Sequence, residues 1–200
     1  MTEVYFVRHA QSDHSVWDER IKPLTEDGMR DSKAVTWVLA DKGIDFLISS
    51  PYKRSMDTIG DLAETLGLPI HTDEDFRERK TGNLHGEDVF QYAEKQLANF
   101  DYKTEDGESL REVQTRNIRA LNRVLAEHNG EKIVIATHGM ALSTILNYYY
   151  PEFDFSCFMK IVDFMPFVIR LDFDGEKCKS EMRAGHNTTK WCCGSLSKHR

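Results

Sequence analysis

The chain has 200 residues, of which 40% are hydrophobic and 30% are charged, and this is enough to bury a core in one domain. Its 26 basic and 33 acidic residues give a net charge of −7, which argues against a general nucleic-acid surface but allows a local pocket for one small anion. No apolar run is long enough to span a bilayer, and the first residues lack a signal-peptide pattern. We therefore expect a cytoplasmic protein with neither a nucleic-acid nor a membrane partner.

Short apolar runs rich in β-branched and aromatic residues recur along the chain and predict strands. The first covers residues 3–7, and the run KIVIAT is the clearest of them. The remaining predictions are strands in IDFLISS and LPIHTD and a late hairpin that begins with FVIRLDF.

Helical patterns separate these strands. Apolar spacing and capping residues predict one helix from after Thr25 to near Gly43 and a second from Pro51 to about Leu66. A third helix is predicted from Ser109 to near Gly130, and a fourth begins after Gly139. The alternation predicts an α/β fold with a mostly parallel sheet covered on both faces. We expect one domain over residues 1–190, with a lid insertion near residues 83–108 and a flexible tail at 191–200.

Polar residues follow three of the predicted strands. They are Arg8 and His9 in "YFVRHAQS", Ser49 and Ser50 before Pro51, and His138 with Gly139. Ligands of parallel α/β sheets bind beyond the carboxyl ends of the strands, so these residues are candidates for one site. Any single one of them is equally well explained as a solvated loop residue.

The residue types at these strand ends suit phosphate chemistry. Arg8 and Arg54 each carry a planar fork that can hold two phosphate oxygens. His9 is a candidate nucleophile, because imidazole can be neutral near physiological pH and attack phosphorus. His138 is a candidate second donor to the phosphate oxygens.

A proton donor is also needed, because an alkoxide is a poor leaving group at neutral pH. Glu78 lies between Arg77 and Arg79 in "FRERKTGNLHG". From spacing alone it is one candidate among many, and an ordinary solvated ion pair is the simpler interpretation.

The motifs VRHAQS, KPLTEDG, ISSPYKRSMDT, FRERKTGNLHG, DGESLREVQTR and VIATHGM, in this order, resemble those of the histidine phosphatase superfamily, the phosphoglycerate mutase-like family. The resemblance covers roughly residues 3–146. It implies a three-layer α/β/α sandwich, which agrees with the alternation of strands and helices.

The resemblance also implies roles for individual residues. His9 corresponds to the phosphorylated histidine, Glu78 to the proton donor, and Gln11 and Ser15 to the loop that lines the phosphate. The other members of the phosphate pocket would be Arg8, Arg54 and His138. No metal and no cofactor are expected, and the spacing of the cysteines at 157, 178, 192 and 193 matches no zinc pattern.

Three departures from the family pattern bear on the activity. Ala10 stands where glycine is usual, the loop at residues 12–22 is shorter than in the mutases, and the mutases' paired arginines are missing from the middle segment. The last two favour a phosphatase of small phosphomonoesters over a phosphoglycerate mutase. A phosphohistidine-protein phosphatase and a non-catalytic phospho-ligand binder remain alternatives, and an oligomer is possible.

The predicted lid carries four aromatic residues, Phe90, Tyr92, Phe100 and Tyr102. They could contact an apolar leaving group, but packing of the segment onto the domain is the favoured interpretation. Arg77, Arg79 and Lys80 could instead bind a second anionic group of a sugar phosphate.

Overall fold

The structure, a computed structural model, describes residues 1–180 and contains one six-stranded sheet. The predicted end of the domain at 181–190 and the tail with Cys192 and Cys193 lie outside the described residues. In chain order the strands are β1 (Thr2–Arg8), β2 (Phe46–Ser49), β3 (Ile70–Thr72), β4 (Lys132–Thr137), β5 (Phe167–Asp174) and β6 (Lys177–Cys178). The helices are α1 (Glu26–Leu39), α2 (Lys53–Leu66), α3 (Val89–Ala98), α4 (Leu110–Glu127), α5 (Gly139–Tyr149) and α6 (Phe155–Ile161).

The strand order is β3-β2-β4-β1-β5-β6. The four strands from β3 to β1 are parallel, whereas β5 and β6 add an antiparallel edge beside β1. The mostly parallel sheet and the late hairpin are therefore confirmed.

Each face of the sheet has its own hydrophobic core. On β1, Val4 and Phe6 join the core that contains α4, α5 and α6, while Tyr5 and Val7 join the core that contains α1 and α2. This alternation follows from the two-residue repeat of a strand. The predicted three-layer α/β/α sandwich is confirmed.

The predicted helix starts depend on local capping and are confirmed where a cap was predicted. The Thr25 hydroxyl accepts the Gly28 N–H at 3.0 Å, and Ser109 and Glu112 form a complete capping box. The start predicted at Pro51 was two residues early, because the first helical residue is Lys53. Helix α6 was not predicted, although Asp154 caps it by accepting the Cys157 N–H at 3.0 Å.

The predicted lid segment is anchored to the rest of the protein by α3. Tyr92 and Gln96 of this helix are fully buried, whereas Phe90 is 44% exposed. The Tyr92 hydroxyl accepts the Gln96 side-chain N–H at 3.2 Å and the Thr104 backbone N–H at 3.1 Å. Both bonds lie within the segment, so Tyr92 stabilises the segment itself, while Ala93 and Leu97 of α3 attach it to the core that contains α4, α5 and α6.

None of the helices found within residues 1–180 combines the length and the apolar character that crossing a membrane requires.

Candidate active site

The register of the sheet brings the three polar strand ends together. In the parallel ladders Arg8 lies opposite Thr137, and Ser49 lies opposite Ala136. The ladder continues past the strands, since the His9 N–H donates to the Thr137 carbonyl at 3.1 Å and the Ser50 N–H donates to the Ala136 carbonyl at 2.9 Å. The residues that follow β1, β2 and β4 therefore form one pocket at one edge of the sheet.

The His9 ring is oriented by a hydrogen bond from each side. Its Nδ1 lies 2.6 Å from the Ala10 carbonyl oxygen, which can only accept, so Nδ1 carries the proton. Nε2 is then unprotonated, and it accepts the Arg54 Nε–H at 3.2 Å. Burial, with the Arg54 charge as the next cause, lowers the pKa of His9 from 6.5 to about 3. His9 is thus a neutral imidazole whose lone pair faces a guanidinium.

The backbone beside His9 tolerates a side chain. Ala10 is fully buried, and its N–H donates to the Thr58 hydroxyl at 3.0 Å. Among the described residues only His85 is a non-glycine residue with positive φ, so Ala10 has an ordinary conformation. Alanine in place of glycine is therefore accommodated without backbone strain.

Arg54, at the start of α2, is buried and shared between His9 and the loop at residues 12–22. Its Nη1 donates to the Glu19 carbonyl at 2.8 Å, and its Nη2 lies 2.9 Å from the Glu19 carboxylate. The same carboxylate contacts the Nζ of Lys22, which is also buried. Glu19 thus places a negative charge beside the guanidinium edge that could hold phosphate oxygens.

His138 lies between β4 and α5 and is fully buried. Its Nε2 is 2.8 Å from the Ser50 hydroxyl, while Nδ1 has no hydrogen-bond partner within residues 1–180. Burial, and then the charge of Arg54, lowers the pKa of His138 well below its usual value. The ring centroids of His138 and His9 are 5.2 Å apart, so two neutral imidazoles share the pocket.

Arg8 is held by the end of α6. Its Nη1 donates to the carbonyls of Ile161 and Val162 at 3.2 and 2.8 Å, where the helix leaves carbonyls without helical partners. Its buried Nε has no partner within the described residues. Burial lowers the pKa of Arg8 from its usual value, and the nearby Glu78 offsets part of this decrease. Arg8 is thus a fixed cation with a free donor.

Glu78 lies at the N-terminus of α5. Its carboxylate accepts the N–H groups of Arg79, Met140 and Ala141 at 2.8, 3.0 and 3.0 Å. Two of these donors are in the first turn of the helix, where N–H groups have no helical partner. The carboxyl group is therefore fixed in orientation on the wall that also carries His138.

Gln11 and Ser15, the two predicted loop contacts to phosphate, are exposed. The Gln11 side-chain oxygen accepts from the Thr25 hydroxyl at 3.1 Å, and the Ser15 N–H donates to the Asp13 carboxylate at 2.9 Å. The structure brings neither side chain into hydrogen-bond contact with the described His and Arg residues of the pocket. Their contact with phosphate stays a prediction.

Sequence reasoning missed Tyr52 in the pocket wall. Its ring lies 5.1 Å from the Arg54 guanidinium carbon and 5.1 Å from the His138 ring. Glu19 and its partner Lys22 were also missed. Tyr52 stands two positions before Arg54 in the motif ISSPYKRSMDT, which was the available signal.

No three or more His, Cys, Asp or Glu side chains within residues 1–180 are grouped so that they could hold a metal ion. The positive charge at the pocket is provided by Arg8 and Arg54.

The fold and the arrangement of the strand ends define an α/β protein of the phosphoglycerate mutase-like type. The family model for the histidine phosphatase superfamily (branch 1) matches residues 4–182. The chain belongs to this superfamily, whose members are phosphatases or mutases.

Curated relatives and solved structures agree with this assignment. A probable phosphoglycerate mutase GpmB of Yersinia pestis is 32% identical over 162 residues, which is 74% of this chain and 74% of that protein. YhfR of Bacillus stearothermophilus shares the fold with a TM-score of 0.69 at 24% identity, over 89% of this chain and 94% of that one. A phosphoserine phosphatase mutant of Entamoeba histolytica also shares the fold, with a TM-score of 0.68 at 19% identity, over 90% of this chain and 96% of that one. At such identities these structures are likenesses of fold.

Proposed function

We propose that the protein is a phosphatase that hydrolyses small phosphomonoesters through a phosphohistidine at His9, without needing a metal ion. The observation that carries the proposal is the state of the His9 ring. Nδ1–H donates to a backbone carbonyl, so Nε2 carries the lone pair, which now accepts the Arg54 Nε–H and is freed for attack on phosphorus when that N–H turns to a phosphate oxygen. The depressed pKa keeps the ring neutral across the physiological range.

In the first step, Nε2 of His9 forms a bond to phosphorus while the bond from phosphorus to the ester oxygen breaks. Glu78 gives its proton to the departing oxygen, so the alcohol leaves neutral and the carboxyl becomes a carboxylate. Arg8, Arg54 and His138 stabilise the charge on the three remaining oxygens. The free donor on Arg8 and the well-fixed His138 support this role.

In the second step, a water molecule attacks the phosphorus and the bond to Nε2 breaks. The Glu78 carboxylate accepts the proton of that water, which restores the acid for the next cycle. The products are inorganic phosphate and the original neutral His9, so atoms and charge balance over the cycle.

The basic residues around Glu78 support a phosphatase over a mutase. Arg77 donates to the Glu108 carboxylate at 2.7 Å, and Arg79 is buried and bonded to the Gln96 side chain. Both are thus engaged by the protein, which also argues against their binding a second anionic group. The second candidate is a phosphoglycerate mutase, because the 32% identical relatives carry that name.

Turnover of p-nitrophenyl phosphate in EDTA tests the proposal, with His9→Ala and Glu78→Gln as variants. We expect the first variant to be inactive and folded, and the second to be slower. His71→Ala is the matched control, since this exposed histidine lies on the edge strand β3. Rapid quenching of the wild-type protein during turnover should also reveal acid-labile phosphate bound to His9.

Activity that persists in His9→Ala would refute the phosphohistidine. A wild-type protein that hydrolyses no phosphomonoester but interconverts phosphoglycerates in the presence of a bisphosphorylated primer would establish the mutase. A protein that does neither and still binds phosphate would be a non-catalytic binder.

A further inference from the structure

Side chains from other parts of the protein hold the backbone of the short segment that carries Glu78. Four successive carbonyl groups, those of residues 75 to 78, each accept a hydrogen bond from a side chain. Thr137 donates to the carbonyl of Phe76 at 2.9 Å, and Arg116 of α4 donates to the other three. A loop with this many fixed carbonyls has little freedom to move its side chains.

Arg116 has no donor left for a ligand. Its Nη1 donates to the carbonyls of Asp75 and Arg77, both at 2.7 Å, and its Nη2 donates to the carbonyl of Glu78 at 3.1 Å. The remaining two N–H groups bind the Glu108 carboxylate at 3.1 and 3.2 Å. All five guanidinium N–H groups are thus used within the protein.

Burial of the Arg116 cation costs free energy, which its contacts must offset. Arg116 is only 7% exposed, and burial of a cation is costly unless it is paired and hydrogen-bonded. Glu108 supplies the counter-charge and also binds the Lys80 N–H at 2.8 Å, on the other side of Glu78. The charged pair therefore fixes the backbone both before and after Glu78.

We propose that Arg116 is a positioning residue for the proton donor: it holds the backbone at residues 75–78 so that the Glu78 carboxyl stays aligned with the leaving oxygen. The inference rests on the proposed function, in which Glu78 protonates that oxygen. Lysine cannot replace arginine here, because a single ammonium cannot reach three carbonyls and a carboxylate in one plane.

Leaving-group dependence separates this role from a general structural one. An alkyl phosphate needs the acid, whereas a dinitrophenyl phosphate expels a stable anion and does not. The quantity to compare is kcat/KM, which covers the steps up to phosphoryl transfer and excludes hydrolysis of the phosphoenzyme. The variants are Arg116→Met, Arg116→Lys and Glu78→Gln, assayed with ethyl phosphate and dinitrophenyl phosphate.

Displacement of a catalytic group by about 1 Å costs about 100-fold, so we expect kcat/KM of Arg116→Met to fall about 10- to 100-fold with ethyl phosphate. With dinitrophenyl phosphate it should stay within about threefold of wild type. Glu78→Gln should show the same selectivity. In the double variant the Arg116 change should add little to the Glu78 change, because Arg116 acts through Glu78.

Arg119→Met is the matched control. Arg119 is on the same helix and binds the same loop, but its exposed side chain contacts the Asp75 carboxylate at 2.8 to 3.2 Å and not a carbonyl. Its removal should leave kcat/KM with both substrates unchanged.

Equal losses with both substrates, or full activity of Arg116→Met with ethyl phosphate, would overturn the inference. If circular dichroism shows that Arg116→Met is unfolded, Arg116→Lys, which keeps the charge beside Glu108, is assayed in its place. The same two results for its kcat/KM would then overturn the inference. A wild-type protein that cleaves neither ester would remove the proposed function, and the inference with it; the wild-type rates alone reveal that case.

Discussion

If Arg54 binds phosphate as proposed, the Glu19 carboxylate competes with that phosphate, and neutralisation of Glu19 should strengthen phosphate binding. Two phosphate oxygens would be held by the edge of a guanidinium that Nε and Nη2 form. In the structure, Nε of Arg54 donates to His9 and Nη2 lies 2.9 Å from the Glu19 carboxylate. A bound phosphate must displace that carboxylate or tolerate its negative charge.

The size of the effect follows from the exposure of the two side chains. Arg54 is 4% exposed and Glu19 is 52% exposed, so the pair is partly screened by solvent. Exposed pairs contribute about 0.2–1 kcal/mol, and the buried cation places this pair near the upper end, at about 1 kcal/mol. That energy corresponds to about a fivefold change in a binding constant.

Inhibition of p-nitrophenyl phosphate turnover by inorganic phosphate measures this constant. The inhibition constant of Glu19→Gln should be about fivefold lower than that of wild type. Glu74→Gln removes the same charge from a pair with Arg20, at 2.7 Å, and should change the constant by less than about twofold because solvent and salt screen it. An unchanged or higher constant for Glu19→Gln, or an equal decrease in the control, would refute the competition.

Three further predictions concern stability. Folding lowers the pKa values of His9 and His138, so below about pH 6.5 the unfolded chain binds more protons than the folded chain, and stability should fall as the pH falls. For His9, whose pKa in the folded protein is about 3, the loss at pH 5.5 should be about 1 kcal/mol, and His138 should add a loss in the same direction. Urea denaturation at pH 7.5 and 5.5 measures the loss, and replacement of both histidines by asparagine should reduce it; an unaltered pH dependence contradicts the assignment. Gly28→Ala should destabilise the protein by about 1–3 kcal/mol, because its Cβ would lie 2.1 Å from the Gln11 carbonyl oxygen. Gly60→Ala in α2, where a Cβ meets nothing within 4 Å, should stabilise by about 0.5 kcal/mol, and similar denaturation midpoints for the two variants would contradict this reasoning.

The features that the sequence predicts well are those that neighbouring residues determine. The Thr25 cap and the Ser109 capping box depend on residues three positions apart, and the strand ends follow from apolar runs. Their convergence could be predicted too, because parallel strands present their carboxyl ends at one edge.

The contacts that the sequence does not predict join residues far apart in the chain. Glu19 meets Arg54 across 35 positions, and Arg116 meets Asp75 across 41. Each is an ordinary charged residue in its own segment, where a solvated surface position is the default expectation. Only the packed arrangement of the helices and the loop identifies them.

The position of β1 in the sheet has a consequence for the order in which the protein matures during synthesis. This strand carries Arg8 and His9, yet its neighbours are β4 and β5, and Arg8 itself is fixed by carbonyls at Ile161 and Val162. During synthesis, the residues of β1 therefore wait for partners that are made more than 120 residues later. A nascent or truncated chain that stops before residue 161 contains Arg8 and His9 but lacks the carbonyls that hold Arg8, so the pocket is completed only after α6 has been made.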